Sequence, residues 1–301
     1  MAYRMAHPYL PRHEETCRRY TCSTWEDFAS CVTNLPRSEA VFNAKQTVYR
    51  GQACAGWPLQ SLWERNFYGL QRAGLWEVYR VQRTPESAEY QLALATHLAG
   101  FKAKAVRANA DLSALSDDQW WGLARHHGLW TPLLDWTTNP YVAAFFAFRG
   151  AMPECGEVAI WALPLAFDIR DQYFEWGTWT HSSASRQRVQ AGLFTRLQSP
   201  IFADLENYLK NVGKATGPYP LLAKISLSAG LAETALRKLC DQRIDEQTLL
   251  LSTGLAPELD YLDEVAQVCN EVLGCGRRHT RLLLGTRTTA SILSPSLRSG
   301  R

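Results

Sequence analysis

Asn139-Pro140-Tyr141-Val142-Ala143-Ala144-Phe145-Phe146-Ala147-Phe148 is apolar on every side and carries proline at a first-turn position, which predicts a buried helix. Close behind it, Glu157-Val158-Ala159-Ile160-Trp161-Ala162-Leu163 has the length and β-favouring content of a strand. Working outward, Thr47-Val48-Tyr49-Arg50-Gly51 predicts a strand stopped by glycine, and Leu221 to Leu227 another. Helices are expected from Ser23 to near Pro36, from Leu59 onward, over Glu86 to Asn109, Asp117 to Arg125, Ala232 to Gln242 and Leu259 to Leu273. Gln247 to Ser252 is expected as a last short strand or an irregular edge. Short strands scattered among helices argue an α+β domain with a small mixed or antiparallel sheet surrounded by helices. No Pro/Gly/Ser-rich linker divides the chain, so residues 1–20 are expected as a polar lead-in, 20–275 as one domain and 276–301 as a basic tail.

Composition narrows the class. A hydrophobic content of 46% over 301 residues suffices for a core without staples. The formal charge is +3, but Arg277, Arg278, Arg281, Arg287, Arg298 and Arg301 lie in a final stretch without acids, so the rest is slightly acidic. The eight cysteines contain no C-x-x-C pair, so reduced, partly buried thiols are expected rather than a disulfide framework. Cys269, Cys275 and His279 match no zinc spacing, and no metal site is expected. No window is long and apolar enough for a bilayer, and Arg4, His7 and Pro8 stand where a signal core would begin, so a cytoplasmic address without membrane contact is expected.

Two segments carry chemistry. In Tyr49-Arg50-Gly51-Gln52 an arginine at a strand end, beside approachable backbone, suits an anion such as phosphate; an ordinary strand-end ion pair uses the same residues. Arg125 to Pro140 packs His126, His127, Thr131, Asp135, Trp136 and Thr137 between two helices. A histidine near an aspartate can exchange protons at neutral pH, and tryptophans offer a flat wall. Asp135, Thr137, Thr138 or Asn139 can equally cap the next helix, with the tryptophans as core. Of the two adjacent histidines, one is expected in the core. The aromatic stretch Tyr173 to His181 suits a lid, a partner patch or a plain cover of the core.

Together these segments resemble the FRG domain, a mostly bacterial family named for an aromatic-Arg-Gly motif. Tyr49-Arg50-Gly51-Gln52 stands for that motif, and Trp57, Leu59, Ser61-Leu62 and Arg65 resemble the helix placed after it. His126-x-Gly128-x-x-Thr131-x-Leu133-Leu134-Asp135-Trp136-Thr137 with Asn139-Pro140 resembles the family's most specific stretch. Arg188-x-Gln190-x-Gly192-x-Phe194 and the Lys224 strand with its following helix are similar to later segments. Arg125 departs from the family's usual glutamine and Pro132 from its usual arginine. The resemblance implies a shared pocket in which Arg50, Gln52, His126, Thr131, Asp135 and Arg188 converge, with Gln190 nearby.

The reaction has to be argued from the site. The leading expectation is an NAD-using enzyme, ADP-ribosyltransferase-like or glycohydrolase-like, acting as a toxin or defence effector on a protein or nucleic-acid acceptor. Its strand-end aromatic-Arg-Gly resembles the first signature of arginine-class ADP-ribosyltransferases. Arg50 would grip the pyrophosphate, Trp136 or Tyr49 would stack, and Asp135 or a glutamate would face the developing ribosyl cation, with Arg125, Thr131, Thr137, Arg188 and Gln190 as further ligand contacts. Leu250 to Gly254 faintly resembles the second signature; the third, an E-x-E pair, is missing, leaving Glu246, Glu258 and Glu264 as candidates by position. A second expectation is a non-catalytic nucleotide- or nucleic-acid-binding module. A third is a hydrolase with Cys54 as nucleophile, His126 or His127 as base and Asp135 as orienter.

Overall fold

The computed structural model describes residues 17–38, 47–66, 88–165, 174–178, 192–197, 204–216, 221–251 and 261–272. Seven strands make one mixed sheet in the order β1-β7-β4-β2-β3-β6-β5. They are β1 Cys17–Cys22, β2 Thr47–Gln52, β3 Leu133–Thr137, β4 Glu157–Pro164, β5 Phe174–Gly177, β6 Gly192–Leu197 and β7 Leu222–Ser228. β1 runs parallel to β7, and every other pairing is antiparallel. The helices are α1 Trp25–Ser38, α2 Ala88–Ala108, α3 Asp117–His126, α4 Pro140–Arg149, α5 Leu205–Thr216, α6 Ala232–Asp241 and α7 Tyr261–Val272. The architecture is α+β, as the sequence predicts. No helix among the described residues is long and apolar enough to cross a membrane.

Strand alternation divides the core. On β4, Val158, Ile160 and Ala162 point into a cluster with α1, α4 and α6, while Ala159, Trp161 and Leu163 point into one with Leu59 and α5. A third cluster joins α2, α3 and α7 to Leu133 and Phe194. The helix starts follow local rules. Asp27 N–H donates to Thr24 Oγ1 at 3.1 Å and Thr24 N–H to Asp27 Oδ2 at 3.0 Å, closing the box that begins α1. Asn139 Oδ1 accepts from Tyr141 N–H at 2.9 Å, and Pro140 occupies the first turn of α4.

Several expectations change. Cys17–Cys22, overlapping the expected polar lead-in, is a strand, because its parallel partner β7 supplies the pairing that its polar sequence does not advertise. Leu133–Thr137 is a strand between β2 and β6 rather than loop, since neighbours on both sides complete its ladder. Gln247–Leu251 winds as a single π-helical turn, not a strand edge. Phe174–Gly177 is the edge strand β5. Cys54 and Cys155 form a disulfide with Cα atoms 5.4 Å apart, where reduced thiols were expected. The long-range approach of the β2 exit to the turn before β4 creates this pair, and Ala55 N–H donates to Glu157 O at 2.8 Å beside it. The basic tail, 276–301, lies outside the described residues.

Candidate functional site

β2 is laddered to β4 over its whole length but meets β3 at Tyr49↔Thr137 alone. Past that point the two strands part, and Arg50 fills the opening. Its Nη1 donates to the Asp135 carbonyl at 2.8 Å and lies 3.3 Å from Asp135 Oδ2. Arg125, in the last turn of α3, grips the same carboxylate, Nε at 3.1 Å from both oxygens and Nη2 at 2.6 Å from Oδ2. One carboxylate therefore serves two guanidinium groups. Arg65, in the helical turn at 62–66, stacks over Trp57 with its guanidinium carbon 5.2 Å from the ring centre.

A cavity of about 300 Å³ opens over this junction. Arg50, Arg125, Asp135 and Thr137 supply its polar lining, Tyr49, Ala143 and Phe146 its apolar wall. Gly51 and Trp136 also border it. Gly51 has a packing reason to be glycine, because a Cβ there would lie 2.0 Å from Ala143 O and 2.7 Å from Ala147 N. The backbone that approaches Gly51 is thus helix α4, where the sequence suggested a ligand.

Charge dominates the site. Burial lowers the Arg50 guanidinium to about 10, helped by repulsion from Arg125 and Arg65 and opposed by Asp135. Burial would raise the Asp135 carboxyl, but Arg125 and Arg50 outweigh it and hold the group well below the usual carboxylate range. Burial likewise opposes the charge of Arg125, and Asp135 outweighs it, so this guanidinium is raised. Asp135 is the acid in direct contact with Arg50, its Oδ2 at 3.3 Å from Nη1. Arg50 Nε is buried with no hydrogen-bond partner among the described residues.

The other expected residues divide. Tyr49 and Thr137 line the cavity, and Thr137 Oγ1 also accepts from Asn139 N–H at 3.1 Å. Gln52 is buried away from it, its Nε2 donating to Pro58 O at 3.1 Å and its Oε1 accepting from Trp161 Nε1 at 2.7 Å. Trp136 Nε1 donates to Thr195 Oγ1 at 2.9 Å and its ring packs in the cluster with Leu59, so the indole is core rather than a stacking wall. His126 lies at the end of α3 with its ring 6.0 Å from Phe194, near enough to Asp135 for its protonated form to help lower that carboxyl. His127 is the core histidine, Nδ1 at 2.7 Å from Asp263 Oδ1. Thr131 is fully buried, and its carbonyl accepts from Trp63 N–H at 3.2 Å. Arg188 and Gln190 lie outside the described residues. Cys54, bound to Cys155, offers no thiol for the hydrolase expectation. Phe146 lines the cavity without having been singled out as a site residue, because it sits in a helix apolar on all sides.

Fold and site together define an α+β protein with an arginine-lined pocket where two central strands part. Residues 45–154 match the family model of the FRG domain, a span that contains every residue lining the cavity. The later segments with similar patterns, Arg188 to Phe194 and the Lys224 strand, lie beyond that match. No curated protein and no solved structure matches the chain.

Proposed function

We propose that this cavity binds a phosphate-bearing nucleotide, with Arg50 and Arg125 as its electrostatic seat and Tyr49 and Phe146 as the wall for its ring. One observation carries the proposal: two guanidinium groups in the cavity lining, Arg50 and Arg125, converge on the single carboxylate of Asp135. Guanidinium forks match phosphate oxygens in shape and charge. A volume of about 300 Å³ falls at the small end of ligand pockets and suits one nucleotide better than two.

Binding without turnover is the version the geometry favours. Release of nicotinamide from NAD needs a carboxylate free to face the ribosyl cation. Asp135 is instead held by Arg50 and Arg125. Glu246 pairs with Arg149 at 2.5 Å, and Glu258 lies outside the described residues. An ADP-ribosyltransferase-like or glycohydrolase-like reaction would therefore have to draw its acid from a group not yet placed at the pocket. The test is calorimetric titration with AMP, adenosine and NAD, with nicotinamide release followed in parallel, on the wild type and Arg50→Gln. AMP should bind, adenosine should not, and Arg50→Gln should lose affinity on the order of tenfold or more. Equal binding of adenosine and AMP would contradict the proposal, and nicotinamide release abolished by Arg50→Gln would favour the NAD-consuming enzyme instead.

A further inference from the structure

The seat needs Arg125 and Asp135 in contact, and the chain between them is a turn rather than a rigid strut. Arg125 stands in the last turn of α3 and Asp135 in the middle of β3, ten residues on. Between them Gly128 redirects the chain with a φ of 84°, and nothing lies within 4 Å of where its Cβ would be, so this glycine serves backbone conformation alone. A turn of this kind leaves backbone groups in need of partners. The end of α3 meets part of the need, Gly128 N–H donating to Arg125 O at 3.2 Å and Leu129 N–H to Ala124 O at 3.0 Å.

Gly128 O and Trp130 N–H are taken by a single side chain of α7. Asn270 Nδ2 donates to Gly128 O at 3.1 Å, and Asn270 Oδ1 accepts from Trp130 N–H at 3.1 Å. A carboxamide offers donor and acceptor side by side, so it holds the turn at two points as the peptide group of a neighbouring strand would. About two helical turns earlier, on the same face of α7, Asp263 Oδ1 lies 2.7 Å from His127 Nδ1. Leu262, Ala266 and Cys269 pack in one cluster with Leu129 and Leu133 of the same stretch. From these contacts we infer that α7 positions the phosphate seat, with Asn270 as the positioning residue that keeps Arg125 on Asp135 by fixing the turn between them. The inference rests on the phosphate-binding reading above and extends that site to residues outside the cavity. Asp263 and Asn270 also lie beyond residues 45–154, so part of the support for the seat comes from outside the span that matches the FRG domain.

The experiment combines AMP titration with NMR of the arginine side chains on the wild type, Asn270→Leu and Asn270→Asp. Arg125 Nε–H lies 3.1 Å from both Asp135 oxygens and reports that contact directly; its resonance is assigned by its loss in Arg125→Lys. Asn270→Leu is similar in size but makes neither hydrogen bond. It should shift the Arg125 resonance and weaken AMP binding on the order of fivefold. Asn270→Asp keeps the acceptor for Trp130 N–H and loses the donor, so both effects should be intermediate, and it carries the test alone where Asn270→Leu does not fold. A lowered urea midpoint with the Arg125 resonance and the AMP affinity unchanged would show a merely structural contact and overturn the inference, leaving the phosphate-binding reading intact. A wild type that binds no AMP would sink that reading and the inference with it.

Discussion

Arg50 commits one nitrogen to its own chain, at the Asp135 carbonyl, and keeps Nε buried and unpaired among the described residues. Arg50 and Asp135 stand out in the sequence because charged residues beside glycine and tryptophan are unusual in apolar surroundings. What does not show is that Asp135 would be neutralised by two arginines, since that pairing depends on bringing together residues 85 apart in the chain. Glu64 is a second buried acid that the sequence hides. It accepts from Tyr90 Oη at 2.9 Å and from Ser61 Oγ, and burial raises its carboxyl from 4.5 to about 7. A folded pKa above the unfolded one contributes stability in full below about 4.5 and loses it as pH rises toward 7. Asp135 acts oppositely: its contribution is present above 3.8 and lost as pH falls, so the two windows do not overlap. Glu64→Gln should therefore flatten the fall in urea midpoint between pH 4.5 and 7 and be more stable than wild type, relative to pH 4.5, at pH 8. Parallel curves for the two proteins would count against a buried, protonated Glu64.

At the level of elements, the site depends on how closely α4 lies on β2. Gly51 permits that approach, with Ala143 and Ala147 as the small partners above it. In Gly51→Ala the new methyl would meet helix backbone, which cannot swing aside as a side chain can, so strand and helix must separate. The expected cost is about 3 kcal/mol or more in urea unfolding, at the upper end for overpacking. A loss below about 0.5 kcal/mol, the scale of a neutral surface change, would show that α4 does not press on β2 as described. The sequence discloses α4, β2, β4 and β7 because their periods and end signals are strong. It leaves β3 and β1 obscure. Leu133–Thr137 mixes an acid and a hydroxyl with its apolar residues, and Cys17–Cys22 carries two adjacent arginines, so both become strands through pairing partners distant in the chain. Gln247–Leu251 has the apolar content of a strand, but Leu249 N–H donates to Asp245 O at 3.0 Å and the segment winds instead.

Across the whole molecule, the sheet is the frame on which two distant signals meet. β2 and β3 are separated by the long excursion through α2 and α3, yet they lie side by side at the centre of the seven strands. Their parting after Tyr49↔Thr137 makes the opening, α4 roofs it, and the end of α3 delivers Arg125. The α+β class follows from local patterns, whereas the place of the cavity follows from strand order, which no local pattern encodes. That the guanidinium pair of Arg50 and Arg125 seats a phosphate is the central claim, and a crystal structure of the protein with AMP tests it most directly. The account predicts the phosphate in the opening between β2 and β3, with an oxygen about 3 Å from a guanidinium nitrogen of Arg50 or Arg125 and the base against Tyr49 and Phe146. A nucleotide seated elsewhere, with both Arg50 and Arg125 out of hydrogen-bond reach of its phosphate, would contradict it.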